Sequence, residues 1–581
     1  MQPTIMLRST NSRLQKRTII WLDLIAISLI ILAAAIASFP SLEYGAPSGH
    51  SISYNLAWLA NFSSQLLHGD LYPRWLANMN HGEGSPVFFF YAPLPFYIST
   101  LGVLMFHTSK IGIQLAAGEW ILLALSGMTF YLFMRQHVSA VSALIGAGLY
   151  MLMPYHFEID LWRRQAIGEL ANYAWMPLST YFVERIHKEN RGIVGLSVSY
   201  SALIFSHLPT ALLFSPFIAV YAAILYTENR SRRFLKNIAR GLFFGIAIAG
   251  IYLVPALFTQ QYILTDKLWN PNFDFHRWFL PILGTNRSPF TDRLFVVLLL
   301  TTAMAMLCWF SAWKYHRNVL PKSIFPWLLF LMLAWFLMLP ISTPLWQITP
   351  FLWKVQFPWR VSIVVDFATA VIFTYTVQRA MASRDSLSYL VVSLVGLSLI
   401  YCSYTGRTVI GNLDPLEDTH YIAYRDAEVS AGHDAPEYTT LWTMQAIHGK
   451  SADTVSERRE ELSFDKSKGA IKVDEWKPRE ILLDVDLKQN TELTIRQFYY
   501  PGWHAHIVDD ARDLDIKPGK SIGLIRLTAP GGHYRLRVEM APLWQEIVGD
   551  IISGIGLLWL MMSCLRTDRR RDPQKMPAKV A

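Results

Sequence analysis

The chain has little cysteine and little charge. Only three of its 581 residues are cysteine, and all three lie in or beside apolar stretches, so the sequence supports no disulfide framework and no cysteine metal site. Charged residues make up 16% of the chain and hydrophobic residues 52%, which is too apolar for an ordinary soluble protein of this length. The net charge of +9 lies in short basic clusters beside apolar runs, so we predict no nucleic-acid partner. A glycine-rich phosphate loop, a zinc-ligand spacing and a nucleophile elbow are also missing, which argues against a nucleotide donor bound by a Rossmann unit.

Thirteen apolar runs, each close to the length of a membrane-crossing helix, contain most of the hydrophobic residues. They lie near 18–39, 87–107, 111–134, 138–155, 166–184, 192–206, 208–226, 241–259, 293–313, 323–340, 360–378, 386–404 and 545–564. The sequence therefore predicts a polytopic α-helical membrane protein. Basic residues precede the first run, which has no obvious cleavage site, so we expect a retained anchor with a cytoplasmic N-terminus.

The basic clusters between the runs predict which loops face the cytoplasm. Thirteen crossings from a cytoplasmic N-terminus would place the basic tail from Arg566 to Lys579 outside, against that rule. The run at 87–107 is the unusual one, because FFFYAPLPFY combines two prolines with many aromatic residues. We therefore predict about twelve transmembrane helices, with 87–107 interfacial or re-entrant beside a cleft and with both termini cytoplasmic.

Residues 405–544 differ from the rest of the chain. The apolar runs stop, and alternating patterns such as TELTIRQFYY and HYRLRVEM are separated by Pro-Gly and Gly-Gly pairs. This alternation predicts antiparallel strands. We expect a β-sandwich-like domain outside the membrane, ahead of the last helix.

The stretch from Glu43 to Tyr97 collects ionisable and turn residues directly after the first apolar run. Apolar residues recur in it at the spacing of one helix face, at Ile52, Leu56, Leu59, Phe62 and Leu66. We predict a helix that lies in the plane of the outer membrane interface. The outer surface also includes the segments 154–169, 260–292 and 341–360 on this topology.

Ionisable residues of both signs are thus predicted to meet at one membrane face. The candidate catalytic bases are Glu43, His50, Asp70 and Glu83. The candidate phosphate partners are Arg74, Arg163, Arg164 and Arg360, because a guanidinium group matches the oxygens of a phosphate. The binding set further includes Glu169, His207, Asp274, His276 and Gln356. Such a set suits the transfer of a sugar from a phosphate, which needs a base for the acceptor hydroxyl and cations for the leaving group.

Structural roles compete with the functional ones for several of these residues. A solvated carboxylate is an alternative for each acid of the first loop. Glu169 follows Arg164 by five residues, so a structural ion pair is an alternative there. His207, in SHLPT, is at a predicted helix junction, where capping or packing is the alternative. A divalent cation stays open as a cofactor, and no other cofactor is predicted.

Several motifs resemble a bacterial membrane family. They are YPRW, GEGSPVFFFYAPLPFY, PYHFEIDLWRRQAIGELANYAWMPL, SHLPT, YLVPALF, QFPWR and FYYPGWHAHIVDD. The family is often labelled pyruvoyl-tetrahydropterin-synthase-related and is similar to YfhO-type proteins. It is more distantly similar to the GT-C superfamily of polyprenyl-phosphate-sugar glycosyltransferases. The resemblance extends over nearly the whole chain.

The resemblance implies a GT-C-like transmembrane domain at 1–404 with an external first loop at 40–110. A periplasmic β-rich domain follows at 405–544, and a last helix with a basic cytoplasmic tail at 545–581. In such proteins the first loop usually holds the catalytic acid, and a later loop, here 260–292, helps to bind the donor. This chain departs from that pattern because APSGHSISYN carries no acid. Either His50 or Glu43 takes its place, or transfer activity has been lost.

The leading hypothesis is a glycosyltransferase of the bacterial inner membrane. Its donor would be a polyprenyl-phosphate-linked sugar, its acceptor a glycan, glycolipid or surface protein at the periplasmic face, and its surroundings membrane lipid. One alternative is a transporter or scramblase of a lipid-linked saccharide, which needs a continuous polar path through the helices. The other is a non-catalytic subunit of glycan assembly, which the missing aspartate would favour.

Overall fold

The computed structural model describes residues 4–47, 49–106, 110–265, 273–315, 321–383, 435–443, 460–510, 512–520 and 522–569, with isolated positions between 389 and 397. Over these residues the chain is helical up to Ser383, and its strands lie between Leu462 and Met540, ahead of a last long helix. The predicted strands of the C-terminal region are therefore confirmed. Most of the predicted basic tail, from residue 570 onward, lies outside the described residues.

The α-helices follow the apolar runs closely. They are α1 (Thr4–Tyr44), α2 (Ile52–Leu67), α3 (Met79–Gly82), α4 (Val87–Phe90), α5 (Leu94–Phe106), α6 (Ile111–Met134), α7 (Ala140–Met151), α8 (Ile167–Glu189), α9 (Ile193–Ser206), α10 (Leu208–Asn229), α11 (Arg232–Ile248), α12 (Gly250–Phe258), α13 (Pro289–Tyr315), α14 (Pro321–Met338), α15 (Thr343–Ile348), α16 (Pro350–Trp353), α17 (Ser362–Ser383) and α18 (Trp544–Arg569). A π-helix runs from Tyr155 to Arg164.

Within the described part of the chain, seven helices are long and apolar enough to cross a membrane, or up to nine if each of two bent pairs is one span. The bent pairs are Arg232–Ile248 with Gly250–Phe258 and Ser323–Met338 with Pro340–Ile348. These helices are those of a polytopic membrane protein. Most of the predicted span at 386–404 lies outside the described residues. The total of twelve and the orientation of the termini therefore remain predictions.

The run at 87–107 is broken, as its prolines suggested. It forms the short α4 and the 13-residue α5, separated at Tyr91–Pro93. A helix of that length extends only about 20 Å, against about 30 Å for the hydrocarbon core. Its placement in the outer leaflet remains a prediction.

The position of the segment 154–169 at the outer membrane face remains a prediction. Its main part is not an exposed loop but the π-helix Tyr155–Arg164, in which nine of the ten residues are buried. The helix follows Pro154 and ends where Gln165 takes a left-handed conformation with φ of 54°. π-helical turns are uncommon and are often found at functional sites.

Chain contacts divide the protein into two compact units. We call Met1–His50, Leu101–Gly245 and Phe273–Thr419 the helical unit, and Ser51–Thr100, Ile246–Asn272 and His420–Ala581 the sheet unit. The predicted domain boundaries at 404 and 544 remain predictions. The first loop belongs with the strands because Trp75, Ala77 and Phe89 lie in the same hydrophobic core as the strand residues.

The sheet unit contains two antiparallel sheets around this core. The strands are β1 (Leu462–Ser463), β2 (Gly469–Lys477), β3 (Glu480–Leu487), β4 (Thr491–Phe498), β5 (Trp503–Ile507), β6 (Asp513–Leu514), β7 (Ile516–Pro518), β8 (Leu524–Ala529) and β9 (Gly532–Met540). One sheet has the order β1-β4-β8-β7 and the other β2-β3-β9-β5-β6. Alternate residues of β3 and β4 are buried, which is the pattern that the sequence predicts for strands with one face in a core.

The predicted interfacial helix is α2, and its register is confirmed at Leu56, Leu59 and Phe62, which are buried. Its polar side chains are not all on the outside, however. Gln65 is buried, donates to the carbonyl of Trp75 at 2.9 Å and accepts from the backbone N–H of Ala77 at 3.1 Å. Gln65 therefore fixes the chain that follows α2.

Gln497 of β4 holds the first loop against the sheet. Its side-chain oxygen accepts from the indole N–H of Trp75 at 2.8 Å, and its amide donates to the carbonyls of Ala77 and Gly82. Gly84 has φ of +87°, and a Cβ there would lie 2.7 Å from the Gln497 oxygen and against the ring of Trp75. Only glycine permits this approach without strain.

Candidate active site in the helical unit

Arg164, the last residue of the π-helix, is the centre of a buried ion-pair network. Its guanidinium group donates to Glu169 at 2.9 Å and to the hydroxyl of Tyr155 at 3.1 Å, and it also pairs with Asp160. The Tyr155 hydroxyl in turn donates to Glu169 at 2.7 Å. All four side chains are buried. The predicted structural pair between Glu169 and Arg164 is therefore present.

Arg360 and His207 lie on the other side of Glu169. The guanidinium of Arg360 is 3.7 Å from the Glu169 carboxylate and donates to the carbonyl of Val355 at 2.7 Å. His207 lies at the junction of α9 and α10, as predicted, with its Nδ1 2.7 Å from the Thr210 hydroxyl. Burial and, after it, the charge of Arg360 lower the pKa of His207 to about 3. The His207 imidazole is therefore neutral.

Glu158 of the π-helix binds two further arginines through the same carboxylate oxygen. The Nε of Arg163 is 3.2 Å from that oxygen, and the Nε of Arg293, in the first part of α13, also pairs with it. We call the four arginines and three acids in these contacts the arginine cluster: Arg163, Arg164, Arg293, Arg360, Glu158, Asp160 and Glu169. Four guanidinium groups and three carboxylates leave an excess of positive charge.

His50 lies beside this cluster. Its backbone N–H donates to the carbonyl of Arg163 at 3.2 Å, and its ring contacts Phe290 with centroids 4.8 Å apart. Gly49 permits this approach, because a Cβ there would be 3.1 Å from the same carbonyl and closer still to the Gln165 side chain. Desolvation lowers the pKa of His50, and the charges of Arg164 and Arg163 lower it further. The imidazole is therefore neutral at pH 7 and can accept a proton.

Aromatic rings support the arginines. The guanidinium of Arg164 lies 4.8 Å from the ring centroid of Trp359, and that of Arg360 lies 5.0 Å from the ring centroid of Phe357. The two rings stack on each other with centroids 5.0 Å apart. Cation–π contacts of this kind hold a guanidinium group in place without neutralising its charge. The QFPWR motif therefore supplies both Arg360 and the rings beneath two arginines.

Gln356, the first residue of QFPWR, has a left-handed backbone with φ of 66°. This conformation costs free energy for a residue with a side chain, and it sets the turn into Pro358–Val361.

Asp274 and His276 form an exposed hydrogen-bonded pair, 2.7 Å apart, at the start of Phe275–Trp278. Neither of these two contacts the arginine cluster in the described structure, and their predicted binding role remains a prediction.

Two of the candidate bases, Asp70 and Glu83, belong to the sheet unit. The Asp70 carboxylate accepts from the amide of Gln65 at 3.2 Å and from the N–H of Tyr72 at 3.2 Å, and burial raises its pKa. Asp70 also lines a cleft of about 420 Å³ with Lys477–Glu480 and Glu539–Pro542. Glu83 is buried, and its carbonyl accepts from the N–H of Phe498. Their catalytic roles remain predictions.

Arg74 is engaged by the last helix of the sheet unit. Its guanidinium donates to Glu546 at 2.9 Å, to the carbonyl of Ile251 at 2.9 Å and to Asp550 at 3.3 Å. Arg479 binds the same Glu546 carboxylate with two hydrogen bonds, at 2.9 and 3.1 Å. These contacts favour a structural role for Arg74 over the predicted binding of phosphate.

Glu43 is the remaining candidate base. It is exposed and belongs to the end of α1, so the predicted first loop begins later than residue 40. Within the described residues, it has no hydrogen bond or ion pair. Its predicted role gains no support from its contacts.

The fit of a divalent cation can be judged from the acids of the arginine cluster. All three carboxylates already pair with guanidinium groups, so these residues do not suit a metal ion. Across the described part of the chain, no three His, Cys, Asp or Glu side chains are grouped as metal ligands.

Reasoning from the sequence missed four members of this site: Tyr155, Glu158, Asp160 and Arg293. The first three were visible in the motif PYHFEIDLWRRQAIGE, where acids and arginines recur within one short segment. Arg293 stands at the edge of an apolar run, and nothing in its neighbourhood indicated a partner more than one hundred residues earlier.

Comparisons with known proteins add little to this geometry. No family model matches the chain, and no curated protein matches it, so the resemblance to YfhO-type proteins remains a prediction. Among solved structures, the apo form of the Archaeoglobus fulgidus oligosaccharyltransferase has a TM-score of 0.38 and 13% sequence identity. The match covers 71% of this chain and 56% of that enzyme, so the chain spans little more than half of its length. A likeness of this size carries no weight for function.

Proposed function

We propose that this protein is a membrane glycosyltransferase that moves a sugar from a polyprenyl-phosphate carrier to an acceptor hydroxyl. The observation that supports it is the arginine cluster beside the neutral imidazole of His50. Excess positive charge favours a phosphate, and a neutral imidazole can take up the proton of a hydroxyl. The proposed acceptor is a glycan, glycolipid or surface protein at the periplasmic face of the bacterial inner membrane.

The proposed reaction is a single displacement. His50 accepts the proton of the acceptor hydroxyl while the hydroxyl oxygen forms a bond to the anomeric carbon of the sugar. The bond from that carbon to the phosphate oxygen breaks, and its electron pair leaves with the phosphate. The arginine cluster offsets the charge that develops on the leaving group. Because attack and departure take place on opposite sides, the sugar carbon is inverted.

A deletion strain supplies the first test, since its surface glycans can be compared with those of strains that carry single variants. His50→Ala should lower the modification at least about 100-fold, the usual contribution of a general base, and lipid-linked sugar should accumulate. His533→Ala, which removes an exposed histidine of β9, is the matched control and should have no effect.

Glu43→Gln, Asp70→Asn and Glu83→Gln extend the test to the other candidate bases. Full modification in all four single variants, including His50→Ala, would show that the site assignment is wrong.

Vesicles that contain the purified protein and no acceptor test the transporter hypothesis. Movement of lipid-linked sugar between leaflets there, without formation of a glycosidic bond, would contradict the proposed transfer.

A further inference from the structure

Helix α11 presents a row of exposed basic side chains that have no acidic partners within the described residues. The sequence explains why, because it has no aspartate or glutamate between Glu228 and Asp266. Glu228 itself pairs with His187 at 3.0 Å. Five positive charges therefore stand together without a counter-ion. We call these residues the basic stripe: Arg230, Arg232, Arg233, Lys236 and Arg240.

The basic stripe lowers the stability of the helix that carries it. Arg232, Lys236 and Arg240 are spaced four residues apart, so they are neighbours on one face, and like charges at this spacing destabilise a helix. Arg232 and Arg233 also lie in the first turn, which has no acidic residue and where the helix dipole disfavours cations. A face that is only solvated would gain stability from an acid at any of these positions. An anionic partner that offsets the repulsion accounts for the arrangement.

The opposite face of α11 fixes the direction of the stripe. Phe234 and Ile238 are buried, and the ring of Phe234 contacts that of His187 with centroids 5.2 Å apart. The carbonyl of Gly241 accepts a hydrogen bond from the Ser197 hydroxyl of α9 at 2.9 Å. At about 100° per residue, the basic positions of α11 lie within a sector of about 100° on the side away from these contacts. The stripe therefore faces outward from the helical unit.

The position of the stripe suits the surface of a lipid bilayer. It begins directly after the candidate span Leu208–Asn229, and the ends of spans lie near the membrane surface. Three residues beyond Arg240, the same sector of α11 carries Phe243, whose side chain is 64% exposed. A face that changes from basic to apolar within one turn matches the change from lipid headgroups to hydrocarbon. Basic residues beside a span also direct its insertion, but that role does not require one face of a packed helix.

We infer that the basic stripe is a binding surface for anionic phospholipid headgroups, with Phe243 in the hydrocarbon beneath them. The negative charge of the lipids offsets the repulsion among Arg232, Lys236 and Arg240. The first turns of α11 are therefore more stable in an anionic membrane than in one without net charge. This inference does not rest on the proposed function, because the stripe includes no residue of the arginine cluster and no candidate base.

The test is amide hydrogen exchange of the full-length protein in lipid nanodiscs, measured by mass spectrometry. One preparation contains dioleoylphosphatidylglycerol, which is anionic, and the other contains dioleoylphosphatidylcholine, which has no net charge. Peptides that cover α11 up to Gly245 should exchange about tenfold more slowly in the anionic nanodiscs, since each cation near an anionic surface gains about a factor of five in affinity. The difference should shrink at high salt, because salt screens the charges. Equal exchange in the two preparations at low salt would overturn the inference.

A triple variant assigns the effect to the stripe: Arg232→Gln, Lys236→Gln and Arg240→Gln. Glutamine is a good helix former without charge, so this variant should fold, and α11 should exchange at the same rate in both preparations. The control variant removes three exposed positive charges from the sheet unit by Lys472→Gln, Lys488→Gln and Lys520→Gln. It should keep the wild-type difference at α11. A difference that persists in the stripe variant, or that disappears in the control, would overturn the inference.

Two soluble anions distinguish a lipid surface from other partners. Inorganic phosphate supplies the charge without a bilayer, and polyglutamate supplies an acidic polypeptide. Added to the phosphatidylcholine nanodiscs, neither should slow the exchange of α11 as the anionic lipid does. Equal protection by either one would overturn the assignment to lipid. Nanodiscs carry the same lipid on both faces, so the outcome does not depend on the orientation of the termini, and no sugar donor or acceptor is needed.

Discussion

Replacement of Arg74 separates the role predicted from the sequence from the role that its contacts favour. A phosphate partner should be dispensable for folding, whereas an anchor of the last helix should not. Arg74 is 7% exposed and Glu546 is 1% exposed, so their contact is shielded from water. Arg74→Gln removes hydrogen bonds to Glu546, to Asp550 and to the carbonyl of Ile251, but Glu546 keeps Arg479 and the N–H of Leu543.

The loss of stability expected for Arg74→Gln depends on the partners that Glu546 keeps. Breaking a buried ion pair costs about 3–5 kcal/mol when it leaves an uncompensated charge. Because Arg479 still compensates Glu546, we expect Arg74→Gln to lower the free energy of unfolding by only about 2–3 kcal/mol, the range of hydrogen bonds to a charged group. Glu546→Gln leaves the buried guanidinium group of Arg74 and the partly exposed one of Arg479 without their shared carboxylate, and it should cost about 3–5 kcal/mol. The double variant should cost less than the sum of the two, since both remove the same contact.

Urea unfolding in detergent micelles, followed by tryptophan fluorescence, measures these values. Arg185→Gln is the control, because Arg185 pairs with Glu189 at a partly exposed site, where an ion pair contributes about 0–1 kcal/mol. If Arg74→Gln unfolds like the wild type but abolishes the modification of surface glycans, then Arg74 acts in the site and the anchoring role is wrong.

Three further outcomes are expected. Gly84→Ala should destabilise the sheet unit by about 2–4 kcal/mol, because the new methyl group meets Trp75 and Gln497 and because the positive φ is unfavourable for alanine. Gly69→Ala is the control in the same urea assay. Gly69 has φ of +101° and open space around it, so this variant should show the cost of the backbone strain alone. Gln356→Gly should keep or raise the melting temperature, whereas Gln356→Val should lower it by the equivalent of about 1–3 kcal/mol, because φ of 66° excludes a β-branched residue; equal melting temperatures would contradict the strained turn. The transfer rate should fall as the pH drops, with its midpoint below the ordinary histidine pKa of 6.5, since the pKa of His50 is lowered and protonation removes the base; a midpoint above pH 6.5 would contradict this assignment.

Much of the local structure could be predicted from the sequence because it depends on residues that are close in the chain. The apolar spacing from Ile52 to Leu66 is enough to identify α2, and the alternation in TELTIRQFYY is enough to identify β4. The polar residues of α2 were harder to interpret. Gln65 is buried because its partners lie in the turn that follows, and helical spacing carries no information about them.

The units and the ion pairs between distant residues could not be predicted, because they depend on contacts between separate parts of the chain. The first loop shares a core with strands some four hundred residues later, through Trp75 and Gln497. The pairing of Glu158 with Arg293 likewise joins two helices whose sequences indicate only that each is apolar. Arg74 was assigned to phosphate because nothing near it in the sequence reveals Glu546.

The composition of the arginine cluster is itself an argument for a ligand. Buried ion pairs contribute little to stability, since the cost of removing their charges from water is close to the gain from pairing, and apolar residues of similar volume often serve as well. A helical unit that needed only to be stable would gain little from seven ionisable side chains among its apolar helices. The cluster also keeps its charge surplus at Arg163 and Arg293, which are its more exposed members, while the balanced members Asp160 and Glu169 are fully buried. That division is expected if the buried ion pairs hold two cations in place for a phosphate that arrives from outside.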